Sequence, residues 1–172
     1  MKFNYYAFRA MYLHEMDRFK RTLMQSLFSP VLSTSLYFIV FGSVIGGYVE
    51  KIDGISYGSF IVPGLLMLTL LTQSISNTSF GIFFPKFNGT MYEILAAPIS
   101  TFEIVLAFVG AGATKTLIVG VVIFLTATFF VEVQVMYPLL MIFLLVLVAF
   151  TFALFGFLIG LMSSNFEQMS IV

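Results

Sequence analysis

Charged residues occur in short clusters along the chain, and the long apolar stretches between these clusters predict membrane-spanning helices. These stretches run over residues 22–49, 54–85, 104–131 and 133–166, and the only charged residue within them is Lys115 in the third. Each is longer than the roughly 20 residues that an α-helix needs to cross a bilayer. We therefore predict four spans, near residues 29–48, 59–82, 113–131 and 137–161.

The composition supports a protein that folds in lipid. Hydrophobic residues make up 60% of the 172 residues and charged residues only 9%, whereas a soluble domain carries roughly 25% charged residues. The unbroken apolar run over residues 139–147 lacks the alternation of a barrel strand. The expected fold class is an all-α integral membrane protein, with about four spans and the start of a fifth.

The balance of charges and the scarcity of ligand side chains exclude several function classes. Eight basic residues are balanced by eight acidic ones, so the chain has no basic field for nucleic acid. It holds no cysteine and a single histidine, His14. We therefore expect no catalytic constellation, no metal site and no nucleic-acid partner.

The distribution of Lys and Arg predicts a cytoplasmic N-terminus. With four spans, the N-terminal segment, the middle loop and the C-terminal end share one side. That side holds six basic residues, Lys2, Arg9, Arg18, Lys20, Arg21 and Lys86. The other side holds only Lys51, and cytoplasmic loops carry the excess of basic residues.

The first 28 residues have the pattern of an amphipathic helix. Apolar side chains recur at spacings of three and four at Phe8, Met11, Tyr12, Met16, Phe19 and Leu23. Most charged residues of this segment, Glu15 among them, fall elsewhere around the helix. We predict a cytoplasmic interfacial helix over 1–28 that bends at Pro30 into the first span. Two roles remain open: an anchor that sets topology, or a lever that transmits a partner's motion.

The second span carries an unusual polar face. Thr69, Thr72, Gln73 and Ser76 follow the spacing of one helix face. Polar groups in lipid need partners, so this face should point into a bundle or a pathway. Contacts between helices and a route for an amphiphilic substrate both fit.

Small residues and one lone charge mark the other spans. A G-x-x-x-G pair occurs in the first span at Gly42 and Gly46, and another in the fourth at Gly156 and Gly160. Such pairs let helix backbones pack closely. Lys115 stands near the start of the third span. The favoured interpretation is that it reaches out to lipid phosphates, and the alternative is a buried pathway lysine.

The middle loop, near residues 83–103, is the largest predicted cytoplasmic feature. Thr90 through Ala97 can form a short helix, because the residue before Pro98 is restricted to extended conformations. This helix would carry one acid, Glu93, and small apolar residues. It could dock in a groove of a soluble partner.

Three motifs carry a family resemblance along the whole chain. They are Phe60-Ile61-Val62-Pro63-Gly64-Leu65 at the start of the second span, Tyr92 to Ser100 in the middle loop, and Gly160-Leu161-Met162 with Asn165-Phe166-Glu167 after the fourth. In these residues the chain resembles the ABC-2 type permeases, the membrane subunits of a class of ATP-driven exporters.

The resemblance implies a role for each part of the chain. It implies that the segment docking on a separate ATPase subunit comprises Glu93, Ile94, Leu95, Ala96, Ala97, Pro98, Ile99 and Ser100. It implies that residues 5–25 also touch that subunit and that two permease copies pair. ATP would bind on the partner, since this chain has no G-x-x-x-x-G-K-[ST] loop.

The resemblance further implies a multi-pass permease of the bacterial inner membrane that exports a drug, a lipid or a saccharide-lipid. Members of this family usually have six spans, so the chain would be an incomplete permease fold that stops after the fourth. The alternative hypothesis is a non-transporting membrane fragment or a regulatory four-helix membrane protein.

Overall fold

The computed structural model describes residues 3–45, 56–133, 135–165 and 167–168, and the regular structure within them is helical. The elements are α1 (Tyr5–Arg21), α2 (Leu23–Tyr37), a π-helical segment (Phe38–Ile45), α3 (Tyr57–Phe87), α4 (Thr90–Ala96), α5 (Thr101–Phe130) and α6 (Pro138–Met162). The start of a fifth span, predicted at the C-terminal end, lies outside the described residues.

Within the described residues, four helical stretches are long and apolar enough to cross a membrane. They are Leu23–Phe41, Tyr57–Phe87, Thr101–Phe130 and Pro138–Met162. Each contains or overlaps one predicted span. The prediction of an all-α membrane protein with four spans is therefore confirmed.

The second and third helices are longer than the spans predicted for them, and the loop between them is shorter. α3 continues to Phe87, with Pro85 in its last turn. α5 begins at Thr101 rather than near residue 113, because Ser100 and Glu103 form a capping box at its N-terminus. The predicted loop of residues 83–103 is thus reduced to the segment between Phe87 and Thr101, most of which is α4.

The N-terminal segment also divides differently from the prediction. The predicted single helix over residues 1–28, with a bend at Pro30, is wrong in its boundaries, because the chain breaks at Thr22 and stays helical at Pro30. α1 ends at Arg21, and α2 begins after the single residue Thr22 and runs continuously through Pro30. At the break, the Thr22 backbone N–H donates to the carbonyl oxygen of Phe19, 3.1 Å away.

α3 packs against both α5 and α6, which also contact each other, and glycines of α5 and α6 allow the close approach to α3. A Cβ on Gly156 of α6 would lie 2.5 Å from the Ile75 carbonyl oxygen of α3. Gly160 meets the Ser79 backbone one turn further on. Gly156 and Gly160, predicted as packing residues, thus lie where the backbones of α6 and α3 approach each other closely. Gly42 lies in the π-helical segment, whose residues 42–45 have no described side-chain surroundings, and Gly46 is outside the described residues.

α1 and α2 run alongside α5 and in the same direction. Asn4 contacts Glu103, and Tyr12 contacts Thr114. Further along, Phe19 packs in a buried cluster with Val119 and Ile123. The contacts advance in the same order along both partners, so the N-terminal segment forms one wall of the bundle.

Candidate functional site

The segment between α3 and α5 forms a short helix, as predicted. Gly89 precedes α4 with a φ of 80°, a left-handed conformation that favours glycine. α4 then spans Thr90–Ala96, and Ala97 is extended, with ψ of 152°. Ala97 precedes Pro98, which disfavours helical conformation in the preceding residue. The local sequence therefore fixes both ends of α4.

α4 has an anchored face and an open face. Met91 and Ile94 pack against the buried cluster that includes Ile82, Ile104 and Phe108. On the other face Tyr92 is 78% exposed and Leu95 62% exposed. Of the other predicted docking residues, Glu93, Ala96 and Pro98 are exposed, and Ala97, Ile99 and Ser100 are half-buried. An exposed apolar face on a helix whose other face packs against the bundle is suited to docking a partner.

The downstream end of this segment is tied to α5 and to the chain's N-terminal end. Ser100 Oγ accepts from the Glu103 N–H at 3.3 Å, and the Ser100 N–H donates to Glu103 Oε2 at 2.8 Å. The Asn4 N–H donates to the other carboxylate oxygen, Glu103 Oε1. Glu103 is only 2% exposed. It therefore joins the start of α1 to the start of α5.

The surroundings of the Lys115 side chain contradict the interpretation that the sequence favoured. Lys115 does not reach out to lipid phosphates, because its side chain is 4% exposed and its Nζ lies 2.8 Å from Glu15 Oε2. Glu15, assigned to the polar side of the first helix, is 3% exposed. The two charges form a buried ion pair between α1 and α5. No local sequence pattern indicates this pair, since its members are 100 residues apart.

Arg18 extends this charged cluster towards the surface. Its Nη2 lies 2.9 Å from Glu15 Oε2, so the same oxygen binds both cations. The guanidinium also lies over the Phe84 ring, 5.8 Å from its centroid. Among the described residues Glu15 Oε1 is buried without a hydrogen-bond partner. The cluster thus contacts α1, α3 and α5 at one level of the bundle.

The predicted polar face of α3 lies away from its most buried side. Thr69 and Gln73 are half-buried, and Thr72 and Ser76 are exposed. Both threonine hydroxyls donate to carbonyls of the preceding turn, Thr69 to Leu65 at 2.8 Å and Thr72 to Leu68 at 3.0 Å. Among the described residues of α3, Ser74 uses its hydroxyl to bond to a neighbouring helix, and the polar pattern did not single it out.

Ser74 and the glycines explain how α3 and α6 associate. Ser74 Oγ donates to the Ala149 carbonyl oxygen of α6 at 2.6 Å. Within the described part of the chain, no group of three or more His, Cys, Asp or Glu residues is placed to hold a metal ion. The described residues thus show close helix packing, a buried ion cluster around Glu15 and an exposed apolar face on α4.

Comparison with known proteins agrees with this architecture. The sequence profile described as ABC-2 type transporter matches residues 6–172. The inner membrane transport permease YadH of Escherichia coli strain K12 is 37% identical over 166 residues, which is 96% of this chain and 65% of that protein. YadH proteins of Escherichia coli O157:H7 and Shigella flexneri match to the same extent.

The chain thus spans about 65% of the length of these curated relatives. No solved structure matches it significantly. The family profile covers the N-terminal wall, α4 and all four membrane-length helices, which is nearly the whole chain. With this coverage, and with the helix order that the resemblance implied, the chain belongs to the ABC-2 type transporter family.

Proposed function

We propose that this chain serves as the permease subunit of an ATP-driven exporter in a bacterial inner membrane. A separate ATPase subunit docks on the open face of α4 and supplies the energy. Motion of that subunit displaces the segment from Glu93 to Ser100 and, through it, α3 and α5. The observation that carries this proposal is the two-faced packing of α4, with Tyr92 and Leu95 exposed and Met91 and Ile94 anchored.

The charges around α4 are compatible with such a partner. Glu93 is the one acidic residue of the helix and is exposed. Phe102, at the start of α5, is 68% exposed and extends the apolar surface beyond α4. Aromatic residues such as Tyr92 and Phe102 are enriched at protein interfaces, and tyrosines are among the residues that carry most of the affinity there. The same docking face would recur on a second permease copy in a paired assembly.

Co-purification from detergent-solubilised membranes tests the docking proposal. We expect the wild-type chain to retain an ATPase subunit, and Leu95→Ser or Glu93→Lys to retain much less of it. Leu139→Ser is a matched control, because Leu139 is 85% exposed at the opposite end of the bundle. Retention unchanged by Leu95→Ser and Glu93→Lys, or equally reduced by Leu139→Ser, would remove α4 as the docking site.

We propose a hydrophobic or amphiphilic substrate, such as a drug, a lipid or a saccharide-lipid. The half-open polar face at Thr69, Thr72, Gln73 and Ser76 would contact it, within apolar surroundings. A charge introduced there, as in Gln73→Glu, should lower the efflux of amphiphilic dyes from cells. Gln25→Glu in α2 is the matched control. Equal efflux by the two variants and the wild type would argue against a pathway along α3.

A further inference from the structure

Glu15 occupies a position where three helices meet. Its Oε2 binds Lys115 of α5 at 2.8 Å and Arg18 of its own helix at 2.9 Å. On the third side, a Cβ added to Gly81 of α3 would lie 3.4 Å from the same oxygen. The carboxylate therefore lies beside α3 at Gly81, where an added Cβ would be in ordinary contact with it. Glu15 thus joins α1 to α5 through an ion pair and lies against α3.

The burial of this pair makes separation of α1 from α5 unfavourable. Both Glu15 and Lys115 are almost completely buried. Two buried charges stabilise each other only while they stay in contact, and parting them leaves each one desolvated and unpaired. Asp17 and Lys20 form a surface pair in which both side chains are more than half exposed. Separating such a pair costs little, because water replaces the lost partner.

Two further polar contacts lie on the same seam between α1 and α5. Tyr12 donates from its hydroxyl to Thr114 Oγ1 at 2.9 Å. The Asn4 N–H donates to Glu103, whose other oxygen accepts from the Ser100 N–H. The seam thus begins at the last residue of the proposed docking segment and ends at the buried ion pair. A displacement at Ser100 has a continuous polar path into α1.

We infer that Glu15 is a positioning residue that locks α1 onto α5, so that the two helices move as one body when the docking segment is displaced. The transmission part of this inference rests on the proposed function. The lock itself does not, because it is a property of the isolated chain. In this arrangement α1 acts as a lever, the second of the two roles that its sequence left open.

Cross-linking measures whether the seam stays closed. The chain has no native cysteine, so Tyr12→Cys with Thr114→Cys introduces a single pair for a short thiol-specific cross-linker. We expect the same cross-linking yield without nucleotide and after trapping with ATP and vanadate. Adding Glu15→Gln should lower the yield several-fold, because the neutral amide leaves the Lys115 ammonium buried without a counter-charge. Asp17→Asn, a carboxyl-to-amide change on the same helix, should leave it unchanged.

Charge reversal separates a specific lock from a general loss of packing. Glu15→Lys or Lys115→Glu alone should open the seam, and the two together should restore the wild-type yield. A wild-type yield that falls on trapping, or equal yields for wild type and Glu15→Gln, would overturn the inference. Comparing wild type with Glu15→Gln without nucleotide tests the contact between α1 and α5 even if no ATPase subunit co-purifies. Failure to co-purify an ATPase subunit would count against the proposed function only.

Discussion

Lys86 of α3 donates from its Nζ to the carbonyl oxygen of Leu161 in the last turn of α6, 2.6 Å away. It also donates to the Ser163 carbonyl oxygen at 2.8 Å. The last carbonyls of a helix have no partner within it and lie at its negative end, so a lysine there stabilises the helix. Lys86, which the sequence analysis used to place the middle loop in the cytoplasm, thus also joins the end of α6 to the end of α3.

Replacing this lysine should loosen the end of α6. We expect Lys86→Met to destabilise the last turn by about 1 kcal/mol, the size of a typical charge-assisted helix cap. Hydrogen exchange of the amides of residues 159–163 in detergent would report this as faster exchange. Lys86→Arg keeps the charge and should exchange as the wild type does. Unchanged exchange in Lys86→Met would show that the carbonyls do not depend on the ammonium group.

The contact between α6 and α3 should tolerate no side chain at Gly156. A methyl group there would collide with the Ile75 backbone, which cannot move aside without shifting α3. We expect Gly156→Ala to lower the free energy of unfolding by about 1–3 kcal/mol, as overpacking does. At Gly64 of α3 nothing lies within 4 Å of an added Cβ, so Gly64→Ala should be neutral or slightly stabilising. Equilibrium unfolding in mixed micelles would measure the free energy of unfolding of both variants. Equal values for Gly156→Ala and Gly64→Ala would contradict the packing geometry.

The hydroxyl of Ser74 should contribute measurably to helix association. Its hydrogen bond to Ala149 is 2.6 Å long and buried. Interhelical hydrogen bonds in membranes are worth roughly 0.6 kcal/mol on average, so Ser74→Ala should destabilise the fold by about that amount. Ser76→Ala, at an exposed serine of the same helix, is the control. A larger loss for Ser76→Ala than for Ser74→Ala would place the association surface of α3 on its other side.

The four spans could be predicted because burying an unpaired charge in lipid is costly, which keeps charged residues other than the paired Lys115 near the ends of spans. The boundaries of α3 and α5 depend on local signals that hydropathy does not contain. At the start of α5, the sequence Ser100-Thr101-Phe102-Glu103 fits the S-x-x-E capping box, and reading that signal would have placed the helix start correctly. For the break at Thr22, we find no comparable signal in the sequence.

The buried ion pair could not be predicted, for a physical reason. A charged residue near a predicted helix end is most simply satisfied by water or phosphate. Only the tertiary fold brings Glu15 of α1 to Lys115 of α5, and it does so through packing of side chains far apart in sequence, such as Phe19 with Val119. The amphipathic pattern of α1 correctly marked Phe19 as inward-facing. It misplaced Glu15 because a paired carboxylate behaves as a core residue.

The surface pair on α1 provides a pH-dependent contrast with the buried one. The hydrogen bond from Lys20 lowers the pKa of the exposed Asp17 carboxyl below its ordinary value of 3.8. The stabilisation is therefore fully present above pH 3.8 and is lost as the pH falls through the lower pKa of the folded state. Lys20→Met should return the pKa of Asp17 towards 3.8 in a carbon-detected NMR titration. A pKa that does not move would show that the two side chains do not pair in solution.

The cap on α5 should decide how firmly the docking segment is joined to the membrane helices. Ser100→Ala removes the oxygen that accepts from the Glu103 N–H, and loss of such a cap destabilises a helix by about 1 kcal/mol. We expect faster hydrogen exchange over the first turn of α5, with Ser100→Thr retaining protection because threonine can cap in the same way. Ser100 is the half-buried last residue of the proposed docking segment and its hydroxyl bonds to Glu103. Ser100→Ala should therefore lower ATPase subunit retention much less than Leu95→Ser does, while ATP-dependent transport should fall. Loss of retention together with transport would instead make Ser100 part of the docking surface itself.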